Sequence, residues 1–369
     1  MSAPIELGAE FIHGRPDVTL RLLKRAGVAP IDSVRKSRYA DGGKLVPINA
    51  FAEAQRAVRG AVVHKDVSFA TFLSRRRMHA RTRTFAQLMV QGFDAADPAR
   101  VSARSIVEEW GSGTSMGASQ PRPAGGYGPL LEGLAAEALG DGARLRLEAI
   151  VREIRWKPGT VEIEGDFLGK RFVERARHAI VTLPLGVLQA GAVRFRPALR
   201  DKRAPLGQLG SGPVIKAALR FEHSFWEERS PGTAFFHAPR AAFPTFWTPL
   251  PARVPLLIAW AGGPKAERLA HLSEERLIEQ ALRGARAVFG RIPALAAALV
   301  HDWRRDPFAC GAYSYLRVSG EGARERLAEP MASTLFFAGE ATDTGGEMGT
   351  VAGALQSGVR AARQLLEAT

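Results

Sequence analysis

A Gly-Glu turn and a glycine-rich loop near the C-terminus carry the clearest chemical signal, in the segment LFFAGEATDTGGEMGTVAGALQSGVRAA. Residues 335–338 have the apolar content of a buried parallel strand, and Gly339 permits a sharp exit from it. A helix is predicted over 350–366, because Val351 and Leu355 begin an apolar repeat on one face. The positive end of its dipole lies at the backbone N–H groups of Gly349, Thr350 and Val351. The pattern therefore indicates an anion site, although any strand–turn–helix unit packs in this way.

Lys216 lies in the middle of another apolar segment, Val214–Phe221, where a strand is predicted. Its neighbours Ile215 and Ala217 are apolar, and a buried ammonium is costly unless it reaches water or a partner. The alternative is a lysine on an edge strand that points to solvent. The residue is therefore a candidate member of a functional site.

Helices dominate the elements predicted for the first third of the chain. Asp17 is predicted to N-cap a helix that Gly27 closes, and residues 37–47 alternate around Asp41-Gly42-Gly43 as in a hairpin. Residues 49–111 have a mostly helical pattern, with a predicted core of Phe51, Val58, Phe69, Phe72, Phe85 and Leu88. A loop rich in Gly, Ser and Pro at 111–126 marks a boundary.

Strands dominate after that boundary. Following a helix at 129–139, strands are predicted at 144–156, 160–164, 171–175, 178–183, 214–221, 233–237, 256–260 and 298–303. Further helices are predicted at 265–272 and 274–289. This order favours two interleaved α/β domains over two consecutive ones.

Composition excludes several classes of protein. The 369 residues are 46% hydrophobic and 24% charged, which is typical of a soluble globular chain. No apolar segment is long enough to span a membrane, and MSAPIELGAEFIHG lacks the features of a signal peptide, so a cytoplasmic location is expected. The single cysteine, Cys310, excludes an internal disulfide and a Cys-based metal site.

The net charge of +14 would suit a nucleic-acid partner, but the basic residues are scattered along the chain. Only 9 of the 51 basic residues are lysine, which is typical of a GC-rich genome that favours Arg codons. No nucleic-acid partner is therefore expected.

The segment FAGEATDTGGEMGTVAGALQSG resembles the C-terminal flavin motif of the flavin-containing amine oxidases, the family of monoamine and polyamine oxidases and lysine-specific histone demethylases. The resemblance implies FAD, with Glu340 bonding its ribityl or pyrophosphate region and Gly339 among the cofactor-binding residues. It places the amides of Thr350 and Val351 at the N1–C2=O edge of the flavin. A helix N-terminus there would stabilise the anionic reduced flavin.

Further segments resemble the same family along nearly the whole chain. LGAEFIHG is similar to a flavin-contacting segment that would supply Gly8 and Ala9, and its His13 would line the substrate tunnel. The alternative for His13 is a purely structural histidine. PAGGYGPLLEGLA resembles a family helix start, AIVREIRW a strand that holds the adenine end through Val151, and HAIVTLPLGVL a Thr-x-Pro turn with Pro184 beside the cofactor.

The resemblance also implies roles for the remaining candidates. Lys216 matches a lysine that holds a water against flavin N5, so it is the predicted catalytic residue. Tyr313 in GAYSY would form one aromatic wall of the substrate cage, and Trp303 would lie near the flavin. Glu347 either holds a second ammonium of a diamine or polyamine or faces solvent.

Three departures from the family pattern stand out. TDTGGEMGTV has no counterpart of the second cage aromatic. The flavin-linking cysteine of monoamine oxidases would align with Ala312, and Cys310 lies two residues earlier, so non-covalent FAD is expected. No G-x-G-x-x-G follows a strand near the start, so a first dinucleotide-binding unit of roughly fifty residues is expected to be missing.

The resulting fold class is α/β, with an incomplete FAD-binding Rossmann-like domain interleaved with a mixed-sheet and helical substrate-binding domain. Residues 1–15, 123–205 and 300–369 are assigned to the FAD-binding domain. Residues 16–122 and 206–299 are assigned to the substrate-binding domain.

The resemblance implies oxidation of a primary or secondary amine, with dioxygen reoxidising the flavin and releasing hydrogen peroxide. The cofactor carries the redox chemistry, while the protein positions the substrate. Three alternatives remain at this point: a truncated remnant that cannot hold FAD, an FAD-dependent desaturase, and a basic interaction protein.

Overall fold

The computed structural model describes residues 4–111 and 120–369. Helices of the described chain are α1 Asp17–Arg25, α2 Ala50–Val58, α3 Phe69–Arg75, α4 Ala80–Gly92, α5 Ala103–Gly111, α6 Gly128–Gly140, α7 Leu185–Ala190, α8 Arg203–Gln208, α9 Trp226–Arg229, α10 Pro264–Leu269, α11 Glu274–Phe289, α12 Ala323–Ala328 and α13 Val351–Glu367. Strands are β1 Pro30–Ile31, β2 Ser37–Asp41, β3 Lys44–Ile48, β4 Arg122–Pro123, β5 Ala149–Lys157, β6 Thr160–Phe167, β7 Lys170–Ala176, β8 Ala179–Val181, β9 Arg194–Arg196, β10 Leu209–Ser211, β11 Val214–Phe221, β12 Phe235–His237, β13 Thr245–Trp247, β14 Leu256–Gly262, β15 Leu295–Asp302, β16 Ser314–Leu316 and β17 Leu335–Phe337.

A seven-stranded mixed sheet has the order β15-β11-β14-β13-β12-β2-β3. Its strands pair antiparallel except β12 and β2, which pair parallel. On one face, Ile215, Ala217 and Leu219 of β11 pack in a core that includes Leu277 and Phe289 of α11. Because side chains alternate along a strand, Lys216 points to the opposite face. The sheet therefore presents the Lys216 ammonium away from its main core.

The C-terminal strand–turn–helix unit belongs to a separate part of the fold. Strand β17 pairs parallel with β8, and α13 packs its buried Ala361 in a cluster with Phe336 and Ala338. Strands β5, β6, β7 and β9, which flank β8 along the chain, form a four-stranded sheet in the order β7-β6-β5-β9. Helices α2 to α5 form an apolar core of their own. The described chain is thus a mixed α/β structure, as the sequence predicts.

Local sequence explains the elements that were predicted correctly. In the β2–β3 hairpin, Gly42 and Gly43 both have positive φ, at +54° and +78°, which the two-residue turn requires. Strand Val214–Phe221 and helix Glu274–Phe289 have the predicted bounds, and the Ser273 side chain caps the helix. In the predicted helical core, Phe51 is only partly buried, while the other five residues are buried.

Some local predictions were wrong. Asp17 is the first residue of α1 rather than its cap, because Pro16 occupies the N-cap position. The strand predicted at 144–156 begins only at Ala149. Strand Thr245–Trp247 was not predicted, since it is three residues long and lies between Pro244 and Pro249. Most of the loop predicted at 111–126 lies outside the described residues.

Candidate active site

Two adjoining cavities contain nearly all of the candidate site residues. The aromatic cavity is lined by Trp247, Trp260 and Tyr313 together with Lys216 and the start of α13. The turn cavity is lined by Pro184 of the Thr-x-Pro turn, by Gly339 and Glu340 of the Gly-Glu turn, and by Trp303. Both cavities share a wall made of Gly8, Ala9, Trp260 and Tyr313. The two cavities therefore meet at these four residues.

Long-range contacts fix the N-terminal segment that forms the shared wall. Trp303 Nε1 donates to the Leu7 carbonyl oxygen at 2.9 Å, and a Cβ on Gly8 would lie only 3.2 Å from the Trp303 ring. The Glu6 carboxylate accepts from the Tyr127 amide at 2.6 Å. Gly126 lies beside it with a φ of +83°, and a Cβ there would collide with Glu6. The Gly-Gly-Tyr helix start therefore serves to dock this segment.

Three aromatic side chains form a wall of the aromatic cavity. The rings of Trp260 and Tyr313 stack at a centroid distance of 6.2 Å, and Trp247 lies 5.5 Å from Trp260. Trp260 Nε1 donates to the Gly92 carbonyl at 2.8 Å, which fixes the ring. Burial raises the pKa of Tyr313, and the negative charge of Glu10 raises it further. The Tyr313 hydroxyl is therefore neutral across the physiological pH range.

Lys216 is buried, with 1% of its side chain exposed, and forms an ion pair with Glu10. The distance from Lys216 Nζ to Glu10 Oε2 is 2.8 Å. Arg122 Nε donates to the other carboxylate oxygen at 2.9 Å, and the Trp247 indole donates to both. Burial opposes ionisation of Glu10, but the charges of Lys216 and Arg122 keep its pKa below the ordinary value. A charged carboxylate thus lies under the shared wall.

The start of α13 presents free N–H groups to the aromatic cavity. Thr350 caps the helix by accepting from the Gly353 amide at 3.0 Å. Within the described chain, the amides of Thr350 and Val351 donate to no protein acceptor. Both residues line the aromatic cavity. This arrangement can bind an anionic ligand atom, as expected for a helix N-terminus.

Glu340 connects the turn cavity to the start of α13. Its Oε2 accepts from the Ser314 hydroxyl at 2.6 Å and from the Gly349 amide at 3.0 Å. The buried Arg324 donates to the same Ser314 hydroxyl at 2.6 Å. Arg324 therefore supports Glu340 through Ser314, and Glu340 Oε1 accepts no hydrogen bond from the described residues.

His13 and Glu347 line the aromatic cavity with altered acidities. Burial lowers the pKa of His13 to about 4, so the ring is neutral at pH 7. Its Nδ1 is buried without a hydrogen-bond partner in the described chain, and the ring packs edge-on against Phe93. Burial, followed by the charge of Asp343, raises the pKa of Glu347. Both residues are placed to contact a ligand in this cavity.

The structure brings most predicted residues together and leaves one apart. His13, Lys216, Tyr313, Glu347, Thr350 and Val351 line the aromatic cavity, and Pro184, Trp303, Gly339 and Glu340 line the turn cavity, with Gly8 and Ala9 in both. Val151 lies on β5, pairs with Gly165 and lines neither cavity.

Sequence reasoning missed Glu10 and Arg122. Glu10 gave a partial signal as a charged residue in an apolar segment, but the sequence does not indicate Lys216, 206 positions away, as its partner.

Asp94 and Glu109 are two further cavity residues that the sequence did not single out. Burial raises the pKa of Asp94 well above its usual range, and the charge of Glu109 raises it further. Burial likewise raises the pKa of Glu109 from 4.5 to about 7, although Arg324 opposes the shift. The neutral forms of this acidic pair are therefore favoured in the folded protein.

Substitution of Asp94 by Asn is expected to flatten the pH dependence of stability. A carboxyl with a raised pKa in the folded state contributes stability below its unfolded value, and this contribution is lost as the pH rises through the folded pKa. For Asp94 the loss begins near the ordinary pKa of 3.8 and continues as the pH rises through the raised folded-state pKa. The free energy of unfolding, measured with urea at pH 5 and at pH 8, should decrease less between these two pH values in D94N than in the wild type. Asp141→Asn, at an exposed site, is the control and should keep the wild-type decrease.

Comparison with known proteins decides the family. A model of the flavin-containing amine oxidoreductases matches residues 2–366. The chain belongs to this family. Lysine-specific histone demethylase 1B of Mus musculus is 32% identical over 251 residues, which cover 65% of this chain and 29% of that protein. Lysine-specific histone demethylase 2 of Homo sapiens is 31% identical over 252 residues, with 65% and 29% covered. The matched region thus spans less than a third of these relatives.

Solved structures of amine oxidases share the fold of this family member. Putrescine oxidase bound to putrescine superposes with a TM-score of 0.80 at 19% identity, covering 98% of this chain and 88% of that chain. Cyclohexylamine oxidase from Brevibacterium oxydans IH-35A superposes with a TM-score of 0.77 at 20% identity, covering 99% and 88%. These likenesses establish the amine oxidase fold.

The described residues lack two kinds of feature. Within residues 4–111 and 120–369, no helix has the length and apolar character needed to cross a membrane. The same residues contain no cluster of His, Cys, Asp or Glu that could hold a metal ion.

Proposed function

We propose that this amine oxidoreductase binds FAD non-covalently across the shared wall and oxidises a primary or secondary amine, with dioxygen as the electron acceptor. The observation that carries the proposal is the wall itself. It places the Lys216 ammonium, the aromatic cage and the free N–H groups of α13 around one space. Family membership supports a flavin, and the geometry supports an amine entering the aromatic cavity.

The residues present fit the cofactor. Gly339 has a φ of +128°, and a Cβ added there would meet no atom within 4 Å, so its backbone is open to a ligand. Glu340 lines the turn cavity, and its Oε1, which accepts no hydrogen bond from the described residues, could accept from ligand hydroxyls. The amides of Thr350 and Val351 suit a negatively charged ring edge. Cys310 lies on neither cavity wall, which supports non-covalent binding.

Bound FAD would supply the redox chemistry, accepting a hydride equivalent from the amine and passing electrons to dioxygen. The rings of Trp260 and Tyr313 would enclose the amine and exclude water from it. His13 lines the aromatic cavity and is neutral at pH 7, so its ring would face the amine without adding a charge. Glu347 is placed to attract a second ammonium of a diamine, and Lys216 remains a positive charge near the developing oxygen anion.

Incubation of the purified chain with FAD tests the proposal. We expect the visible absorbance bands of a bound flavin after gel filtration, and release of all flavin on denaturation. Peroxide should then form with amines, and a diamine should have a lower KM than a monoamine of equal length. A protein that remains colourless with excess FAD would contradict the proposal and favour a non-catalytic remnant. A flavoprotein that oxidises no amine would favour a desaturase instead.

A further inference from the structure

We propose that Glu10 is a positioning residue that holds Lys216 as a fixed ammonium at the wall between the two cavities. This inference rests on the proposed function for its consequence, but the ion pair exists independently of any ligand. Family resemblance assigned a role to Lys216 alone and none to Glu10. The geometry assigns Lys216 a partner, and with it a defined position and charge.

Hydrogen bonds fully occupy the Glu10 carboxylate. Oε1 accepts from Arg122 Nε at 2.9 Å and from Trp247 Nε1 at 3.1 Å. Oε2 accepts from Lys216 Nζ at 2.8 Å and from the same indole at 3.0 Å. Because its acceptor sites face three protein donors, Glu10 is not placed to bind a substrate ammonium or to take its proton. The carboxylate therefore interacts with protein groups rather than with a ligand.

Electrostatics favours a charged state for this cluster. Arg122, Glu10 and Lys216 together carry one net positive charge, and an unpaired lysine in this position would be strongly disfavoured by burial. The Lys216 side chain is 1% exposed and that of Glu10 is 12% exposed, so solvent screens their attraction little. Removing the carboxylate would leave Arg122 and Lys216 as neighbouring cations, which makes the neutral amine of Lys216 more favourable.

Other groups around Lys216 cannot replace Glu10. Directly across from it on the neighbouring strands are Trp260 on β14 and His301 on β15. His301 lies 3.5 Å from Asp306, and Tyr313 is neutral because burial raises its pKa. Among the described residues, Glu10 is the acid that forms an ion pair with Lys216. One carboxylate therefore controls the charge at this wall.

Lys216 has hydrogen-bonding capacity left after this contact. An ammonium has three donors, of which one bonds Glu10 and a second approaches the Gly8 carbonyl at 3.5 Å. The third is available to a water or to reduced oxygen at the wall. Glu10 would thus fix the direction of that donor as well as its charge.

Lysine titration by NMR tests the inference without any flavin. The chain has nine lysines, so the Cε signals of protein labelled with ¹³C-lysine can be followed from pH 6 to 12, with Lys216 assigned from its loss in Lys216→Met. In Glu10→Gln, the Lys216 signal is expected to titrate roughly two pH units lower than in the wild type. An unchanged midpoint would overturn the inference.

Glu53→Gln is the matched control for this titration. Glu53 is also a buried carboxylate, paired with Arg56 and Arg81 and bonded by Thr82, and it lines neither cavity. Its substitution should leave the Lys216 midpoint unchanged. If Glu10→Gln does not fold, Glu10→Asp retains the charge with a shorter reach. A smaller downward shift of the Lys216 midpoint is then expected, and an unchanged midpoint would contradict the positioning role of Glu10.

A second readout connects the ion pair to chemistry in the flavin-bound protein. Reoxidation by dioxygen should be nearly independent of pH in the wild type between pH 6 and 9. In Glu10→Gln it should slow severalfold as the pH rises through that range, because part of the Lys216 population loses its charge. If the reoxidation rates of the two proteins change with pH in the same way, the inference is contradicted. Failure to bind flavin would refute only the proposed function, because the NMR titration is decided without it.

Discussion

Substitution of Lys216 by methionine is expected to slow reoxidation of the reduced cofactor by dioxygen by about 100-fold or more. Dioxygen gains negative charge as it is reduced, and the Lys216 ammonium is a buried positive charge that lines the aromatic cavity beside the shared wall. Methionine fills a similar volume without charge. Glu10 keeps Arg122 and Trp247 as partners, so the fold should tolerate the change. Stopped-flow mixing of the reduced protein with dioxygen measures the rate.

Cofactor affinity separates this role from a structural one. Binding of oxidised FAD to K216M should remain within about threefold of the wild type, because the predicted cofactor contacts lie on other residues. Lys202→Met is the matched control, since Lys202 is also buried but lines neither cavity and bonds the carbonyls of Arg326 and Glu329. K202M should reoxidise at the wild-type rate even if it is less stable. An unchanged rate in K216M would remove Lys216 from oxygen reduction.

Elements with a complete local signal were predictable from the sequence. Helix Glu274–Phe289 has a serine cap and a regular apolar repeat, and strand Val214–Phe221 is a continuous apolar segment interrupted by one lysine. The β2–β3 hairpin is specified by two adjacent glycines. By contrast, strand Thr245–Trp247 is held by its neighbours β12 and β14 rather than by its own composition. Three residues are too few to produce a recognisable period.

The candidate site was predicted as a set of segments but not as an arrangement. The C-terminal unit and Lys216 were recognisable because each carries its own pattern. Glu10 and Lys216 are 206 positions apart in sequence, and nothing local to either residue indicates the pair. The same is true of Arg324, which donates to the Ser314 hydroxyl and to the Glu340 carbonyl. Partners of buried charges depend on tertiary structure, so they could be suspected from the sequence but not named.

Substitution of Glu340 by glutamine is expected to weaken FAD binding by about 10-fold to 100-fold, equivalent to roughly 1.5–3 kcal/mol for hydrogen bonds to a charged group. The carboxylate accepts from Ser314 and from the Gly349 amide, its second oxygen accepts no hydrogen bond from the described residues, and Glu340 lines the turn cavity. Glutamine retains the shape but presents one neutral oxygen and one NH₂ group. That NH₂ group cannot accept from a ligand hydroxyl or from the protein donors. Quenching of flavin fluorescence during titration measures the affinity.

A change in stability must be distinguished from a change in the site. Loss of the Glu340 charge also removes an anion beside the buried Arg324, so E340Q is expected to unfold at lower urea concentration than the wild type. Glu325→Gln is the control, because Glu325 also lies near Arg324 but is exposed and lines neither cavity. It should bind FAD with wild-type affinity. If E340Q binds FAD as tightly as E325Q under conditions where both are folded, Glu340 acts only by bracing Ser314 and the start of α13, and the turn cavity does not hold the cofactor hydroxyls.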